Sequence, residues 1–156
     1  MRPDWLIIDG YNLLHVDTEL KALLARDLQL ARHRLVRAIE NAAHLMAPQT
    51  TIVFDGREQG QDDALTSKHL EIFYSSGKQT ADTVIERLVA KYANPEKILV
   101  VTSDRAEAHA VLSDGAQVMS SQEFMAQCAA RSNTSNARRS RPGEQPKLGD
   151  LFPDGL

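Results

Sequence analysis

The feature that most limits how this chain can fold is an aliphatic run that ends in an aspartate, and it occurs three times. LIID ends at Asp9, TIVFD ends at Asp55 and ILVVTSD ends at Asp104. Short runs rich in β-branched residues are typical of buried strands. Ligands of an open parallel sheet bind beyond the carboxyl ends of its strands, so three acidic strand ends would meet at one edge. The sequence therefore predicts an acidic site at the edge of an α/β sheet.

Strand and helix patterns alternate along the first 130 residues. We predict strands at about 5–9, 51–55, 70–74, 97–102 and 116–119. Apolar residues at three- and four-residue steps predict helices over about 19–46, with a break at a capping Asp27, and over 80–92, 104–112 and 121–130. The side chain of Thr80 is expected to cap the second of these helices. This alternation favours a three-layer fold with a mainly parallel sheet.

A further acidic pair is expected to join the site from a helix. Asp82 falls in the first turn of the helix that begins at Thr80, and Glu86 lies one turn later on the same face. Two ionised carboxylates about 4 Å apart repel each other by roughly 4 kcal/mol at an effective dielectric constant near 20. A divalent cation would remove this repulsion, and carboxylates favour Mg²⁺ or Mn²⁺. The sequence offers no His/Cys set spaced for zinc.

Each acidic residue also has a purely structural interpretation. Asp104 could cap its helix, with Glu107 three residues later, and Asp82 could favour the helix dipole. Asp9-Gly10 and Asp55-Gly56 could be turn sequences. The sequence alone leaves both interpretations open.

Charge is distributed unevenly along the chain. Residues 1–130 contain 13 Lys and Arg against 18 Asp and Glu, whereas residues 131–156 contain 5 against 3. We therefore divide the chain into a domain over 1–130 and a basic tail over 131–156, which we expect to be disordered from about Ser132 because it has few large apolar residues. Arg138, Arg139 and Arg141 could be solubilising charges or could attract RNA phosphates non-specifically.

No apolar run in the sequence is long enough to cross a bilayer, and the N-terminal MRPDW lacks the apolar core of a signal peptide. We expect a cytoplasmic protein without membrane contact.

Other α/β chemistries fit the sequence less well. DGYNLLH has one glycine and no Lys-Ser/Thr pair, which excludes the glycine-rich turns of Rossmann and P-loop sites. An aspartyl-phosphate phosphatase with its nucleophile at Asp9 usually has an acid two positions later, where this chain has Tyr11. A receiver domain could use Asp55, but its acidic pair at the first strand is reduced to Asp9. A hydrolase-type acidic site remains.

Four segments, in this order and spacing, resemble a known family. They are LIIDGYNLLH, IVFDGRE, TADTVIERLVAKY and ILVVTSDRAEAHAVLSDGAQVMSSQEF, and together they resemble the YacP-like group of NYN domains, which are PIN-like ribonucleases. The resemblance covers about residues 4–130. It implies a PIN-like α/β/α fold, a Mg²⁺ or Mn²⁺ site and an RNA substrate.

The resemblance also implies roles for individual residues. Asp9, Asp82 and Asp104 would be the core catalytic acids and metal ligands, with Asn12 beside them. Asp55 and Glu86 would be further metal ligands.

The expected activity is metal-dependent endoribonucleolytic hydrolysis in RNA decay or processing, leaving a 5′-phosphate and a 3′-hydroxyl. Tyr11 could stack on a base or pack inside the turn, while Arg57, Lys78 and Arg105 are candidate phosphate contacts. The acidic body suggests weak RNA affinity, for which the ribosome or another RNA-presenting partner would compensate. The alternative is a non-catalytic RNA- or ribosome-associated binding module with the same fold.

Overall fold

The computed structural model describes residues 2–55, 66–76 and 78–139, except for the side chains of 132–139. Five strands form one sheet: β1 (Trp5–Asp9), β2 (Gln49–Phe54), β3 (Leu70–Tyr74), β4 (Ile98–Val101) and β5 (Gln117–Met119). Their order is β3-β2-β1-β4-β5, and all four described pairings are parallel. The predicted parallel sheet is confirmed, with strand ends shifted by no more than two residues.

Helices cover both faces of the sheet. They are α1 (Gly10–Val16), α2 (Thr18–Arg26), α3 (Leu28–Met46), α4 (Ala81–Lys91), α5 (Arg105–Ser113) and α6 (Ser121–Arg139). Successive strand residues point to opposite faces, so Leu6 and Ile8 of β1 pack in the core beneath α1, α2, α3 and α6. Ile7 packs in a second core beneath α4 and α5. The predicted three-layer α/β/α architecture is confirmed.

Polar side chains set the beginnings of the helices. The side chain of Asp17 accepts the backbone N–H of Leu20 at 3.0 Å and starts α2. Asp27 separates α2 from α3 and caps α3, as predicted. Thr80 caps α4 by accepting the backbone N–H of Thr83 at 3.2 Å, also as predicted. These boundaries depend on local hydrogen bonds, which explains why the sequence reveals them.

Two helices differ from the predictions. After Asp9 the chain enters α1 directly at Gly10, where the Gly-Tyr-Asn segment suggested a turn. The helix α6 continues to Arg139, so the prediction of disorder from about Ser132 is wrong for residues 132–139. Extending an existing helix costs far less than nucleating one, and α6 is already formed at Ser121. The rest of the predicted tail, 140–156, lies outside the described residues.

The strand order places a crevice beside β1. Within the sheet, β2 and β3 lie to one side of β1, whereas β4 and β5 lie to its other side. Where successive crossovers diverge in this way, the loops after the two central strands separate and leave room for a ligand. The carboxyl ends of β1 and β4 therefore define the expected site.

In the part of the chain that the structure describes, no helix has the length and apolar character needed to span a membrane.

Candidate active site

Three carboxylates from three different elements meet at this crevice. Asp9 ends β1, Asp82 is the second residue of α4, and Glu107 is the third residue of α5. One oxygen from each carboxylate lies within 4.8 Å of one oxygen from each of the others. We call these three residues the acidic cluster.

Asp9 is held in place by the first turn of α1. One carboxylate oxygen of Asp9 accepts the backbone N–H of Asn12 at 3.3 Å, and the other accepts the side-chain N–H of Asn12 at 3.0 Å. The side-chain oxygen of Asn12 accepts the backbone N–H of Ser103 at 2.7 Å. Asn12 therefore joins the end of β1 to the loop after β4 and fixes the orientation of the Asp9 carboxylate.

Glu107 is fully buried, with 0% of its surface exposed. Neither of its carboxyl oxygens has a hydrogen-bond partner of good geometry among the described residues. Burial raises the pKa of Glu107 to about 9, while the nearby Thr102 hydroxyl opposes this rise and the charges of Asp9 and Asp82 add to it. Thr102 and Asp9 are close enough to change the pKa of Glu107 but make no hydrogen bond of good geometry to it. Burying a poorly paired carboxyl group is costly, so this side chain is suited to a cation or to ordered water.

The other two cluster acids are also harder to ionise than isolated aspartates. Burial raises the pKa of Asp9 to about 6, against the opposing effect of the Asn12 backbone hydrogen bond, and the charge of Asp82 raises it further. Burial raises the pKa of Asp82 as well, and the neighbouring charges of Asp104 and Glu86 act in the same direction. The cluster therefore has more potential negative charge than its surroundings stabilise.

Asp104 lies beside the cluster and has a structural role of its own. Its carboxylate accepts the backbone N–H groups of Ala106 and Glu107 at 2.9 and 3.1 Å, which caps α5. Asp104 is also close enough to Asp82 to raise the pKa of that residue. The structure thus brings Asp104 to the predicted edge, and one of its carboxylate oxygens is already engaged in the cap.

The remaining predicted ligands and Tyr11 lie around the same crevice. A cleft of about 320 Å³ is lined by Asp9, Tyr11, Asn12, Asp55, Thr80, Ala81 and Asp82. The charge of Glu86 acts on Asp82 from the next turn of α4. The convergence predicted from strand ends and from the start of α4 therefore occurs in the folded chain.

The predicted phosphate contacts are less well defined. Lys78 is exposed before α4, and Arg105 is exposed at the first position of α5. Arg57 and Arg141 lie outside the described residues, and the structure describes the backbone but not the side chains of Arg138 and Arg139. Their predicted contacts with RNA stay predictions.

The sequence prediction did not include Glu107 among the ligands. The sequence presents Glu107 three residues after Asp104, where a capping interaction explains it. The argument that identified Asp82 also applies to Glu107, because both acids lie in the first turn of a helix that begins at the acidic sheet edge.

The acidic cluster fits a hard divalent cation. All three side chains offer carboxylate oxygens, the ligands that Mg²⁺ and Mn²⁺ prefer. A cation would neutralise the mutual repulsion of the acids and would give the buried oxygens of Glu107 a partner. No His or Cys of the described residues belongs to the cluster, which argues against zinc.

A comparison with family models identifies the family to which this chain belongs. A model described as the YacP-like NYN domain matches residues 6–151, which is most of the chain. The chain belongs to the YacP-like NYN domain family. The match extends beyond residue 130, where the sequence resemblance was expected to end.

Other YacP-like proteins agree with this assignment. A curated relative from Bacillus subtilis (strain 168), described as uncharacterized protein YacP, is 30% identical over 124 residues, which cover 78% of this chain and 73% of the relative. The crystal structure of Rae1 (YacP) from Bacillus subtilis, as its W164L mutant, superposes with a TM-score of 0.72 at 28% identity and covers 86% of this chain and 80% of that protein. A second Rae1 crystal structure gives a TM-score of 0.71 at 28% identity, with coverage of 86% and 79%. The YacP-like fold is thus shared over most of both chains.

Proposed function

We propose that this protein is a metal-dependent endoribonuclease that hydrolyses RNA phosphodiester bonds. The observation that carries the proposal is the cluster of buried Asp9 and Glu107 with half-buried Asp82 at the crevice beside β1. Membership of a family with a PIN-like nuclease fold supports the same reaction class.

Asp9, Asp82 and Glu107 would hold Mg²⁺ or Mn²⁺, with Asp104, Asp55 and Glu86 as outer acids. When bound, the cation supplies Lewis acidity for the scissile phosphate and lowers the pKa of an attacking water. The chain itself fixes the ligands: Asn12 orients Asp9, and the cap at Asp104 sets the position of the α5 turn that bears Glu107. Attack of water on phosphorus breaks the P–O3′ bond, so the downstream fragment keeps the phosphate on its 5′ oxygen. The departing O3′ takes up a proton and becomes the 3′-hydroxyl of the upstream fragment.

An acidic cluster is unfavourable for simple RNA binding. Concentrated negative charge repels phosphate, and proteins that only bind RNA use Lys and Arg at the contact. Placing three carboxylates beside one another, two of them buried, also destabilises the fold unless a cation compensates. Both costs are explained if the site performs metal-assisted chemistry, and this favours a nuclease over a non-catalytic RNA- or ribosome-associated module.

RNA would be presented to the site by a partner. The chain has a net charge of −3, so electrostatic attraction between the whole molecule and RNA is weak. The ribosome, or another assembly that holds RNA in place, would supply the missing affinity.

The direct test is incubation of the purified protein with end-labelled RNA in Mg²⁺, in Mn²⁺ and in EDTA. We expect cleavage in either metal, none in EDTA, and fragments that carry 5′-phosphates. Cleavage that persists in EDTA and yields 2′,3′-cyclic phosphates would contradict the metal mechanism. Metal binding measured by calorimetry, with no cleavage of free or ribosome-presented RNA, would favour the binding module.

A further inference from the structure

The exposed side of α1 carries a ring pair next to the acidic cluster. Tyr11 and His15 are one helical turn apart, so their side chains share a face of α1. Their ring centroids are 5.1 Å apart with an interplanar angle of 36°. Tyr11 lines the same cleft as Asp9 and Asp82, whereas His15 is exposed. The pair therefore extends from the cleft towards the surface.

Three other residues of α1 have their side chains directed elsewhere. Leu13 and Leu14 are fully buried beneath the helix. Asn12 is committed to Asp9 and Ser103. An exposed histidine gains little free energy from packing against a half-buried tyrosine, so packing alone does not explain a ring pair beside the cluster.

We propose that Tyr11 and His15 form a stacking platform for the nucleobase next to the scissile phosphate. The inference deepens the proposed function and rests on it. An aromatic surface binds any base through its π-face, so the platform selects unpaired bases rather than a base sequence. The cleft of about 320 Å³ beside the rings is open to solvent and is large enough to admit a nucleobase.

Binding can be tested separately from cleavage. The probe is a short single-stranded RNA with one 2-aminopurine, whose fluorescence is quenched by stacking, mixed with protein in EDTA. We expect His15→Ala to weaken binding by about five- to twentyfold, as expected for loss of a base–aromatic stack. His15→Phe should restore affinity and quenching, because it keeps an aromatic ring at this position. Binding of a duplex with the same sequence should not change.

A second ring pair in this chain provides the matched control. His44 and His69 stack at 4.1 Å, before β2 and β3 and thus at the opposite edge of the sheet. His44→Ala removes the same side chain from a ring pair remote from the cluster and should leave RNA binding and cleavage unchanged. Cleavage by His15→Ala should show a higher KM with little change in kcat, because the platform holds substrate and transition state alike.

The results separate the two proposals. Equal probe binding by the wild type and His15→Ala, absence of quenching by the wild type, or failure of His15→Phe to rescue would overturn the platform. A wild type that quenches the probe but never cleaves RNA in Mg²⁺ or Mn²⁺ would overturn the nuclease proposal and leave the platform standing. Equal thermal melting temperatures of the wild type and His15→Ala confirm that the exposed substitution leaves the fold intact.

Discussion

At the residue scale, Glu107 changes the interpretation of the site most. Its sequence context explains it as part of a helix start, yet the folded chain buries it completely beside Asp9 and Asp82. Its pKa of about 9 means that the carboxyl group is protonated at neutral pH when no cation is bound. If Glu107 is a ligand, as we propose, cation binding would release this proton.

The substitution Glu107→Gln tests this coupling. Glutamine resembles the protonated carboxyl group, so the melting temperature without metal should be nearly unchanged at neutral pH. Affinity for Mn²⁺, measured by calorimetry, should fall by at least about tenfold. Removing a group that only supports a metal ligand already lowers affinity by about this factor, so losing a ligand should cost no less. Glu96→Gln is the control, because Glu96 is exposed before β4 at the opposite edge. Unchanged Mn²⁺ affinity in Glu107→Gln would remove this residue from the ligand set.

At the element scale, the short helix α1 positions both Asp9 and Asn12. Gly10 begins this helix because the Phe54 ring lies against it: a Cβ atom at Gly10 would be 2.7 Å from Cδ1 of Phe54. Phe54 has little room to move, since it is fully buried and packs against Tyr74 and Arg32. The close approach of β2 thus determines which residue can follow Asp9.

We expect Gly10→Ala to lower the free energy of unfolding by about 1–3 kcal/mol, the usual cost of overpacking a core. In a Phe54→Leu background the smaller side chain leaves room for the new methyl group, so Gly10→Ala should cost less there. Urea denaturation of the two single variants and the double variant measures this coupling. Strictly additive losses would show that the Phe54 ring does not constrain Gly10.

Local signals explain which elements the sequence predicts. Asp27 and Thr80 cap helices through hydrogen bonds within three residues, so their positions are evident without tertiary information. The sequence does not predict α1, because seven residues that begin with glycine resemble a turn and the helix is stabilised by the burial of Leu13 and Leu14. Burial of Glu107 likewise depends on how α5 packs, which its local sequence does not encode.

At the whole-molecule scale, the strand order creates the site. The sequence predicts a parallel sheet from the β-α alternation but does not determine the order β3-β2-β1-β4-β5. This order places the ends of β1 and β4 side by side, and α4 and α5 supply Asp82 and Glu107 from the same face of the sheet. The stability of the whole fold should therefore respond to the ionisation of this one cluster.

We predict that stability without metal falls as pH rises. The folded-state pKa values of Asp9 and Glu107 are raised to about 6 and about 9, above 3.8 and 4.5 for the unfolded chain. The stabilisation from bound protons is complete below the unfolded values and is lost as pH rises through the folded values. Urea denaturation in EDTA from about pH 5 to about pH 9 should show this loss, and Mg²⁺ should reduce it.

Comparing the wild type with Glu107→Gln separates the contribution of Glu107 to the pH profile from that of the other titrating groups. The variant should lose less stability over the upper half of this pH range, because it has no proton to release at position 107. Identical pH profiles for the two proteins would contradict the raised pKa of Glu107.

The central claim, that the acid ending β1 holds a cation needed for RNA cleavage, is tested most directly by Asp9→Asn. Asparagine can still cap α1, and Asp27→Asn makes the same change at the cap of α3, away from the cluster. Single-turnover RNA cleavage in Mn²⁺ should fall at least about a hundredfold in Asp9→Asn, a barrier increase of roughly 2.7 kcal/mol, and stay normal in Asp27→Asn. Near-normal cleavage by folded Asp9→Asn would contradict the claim.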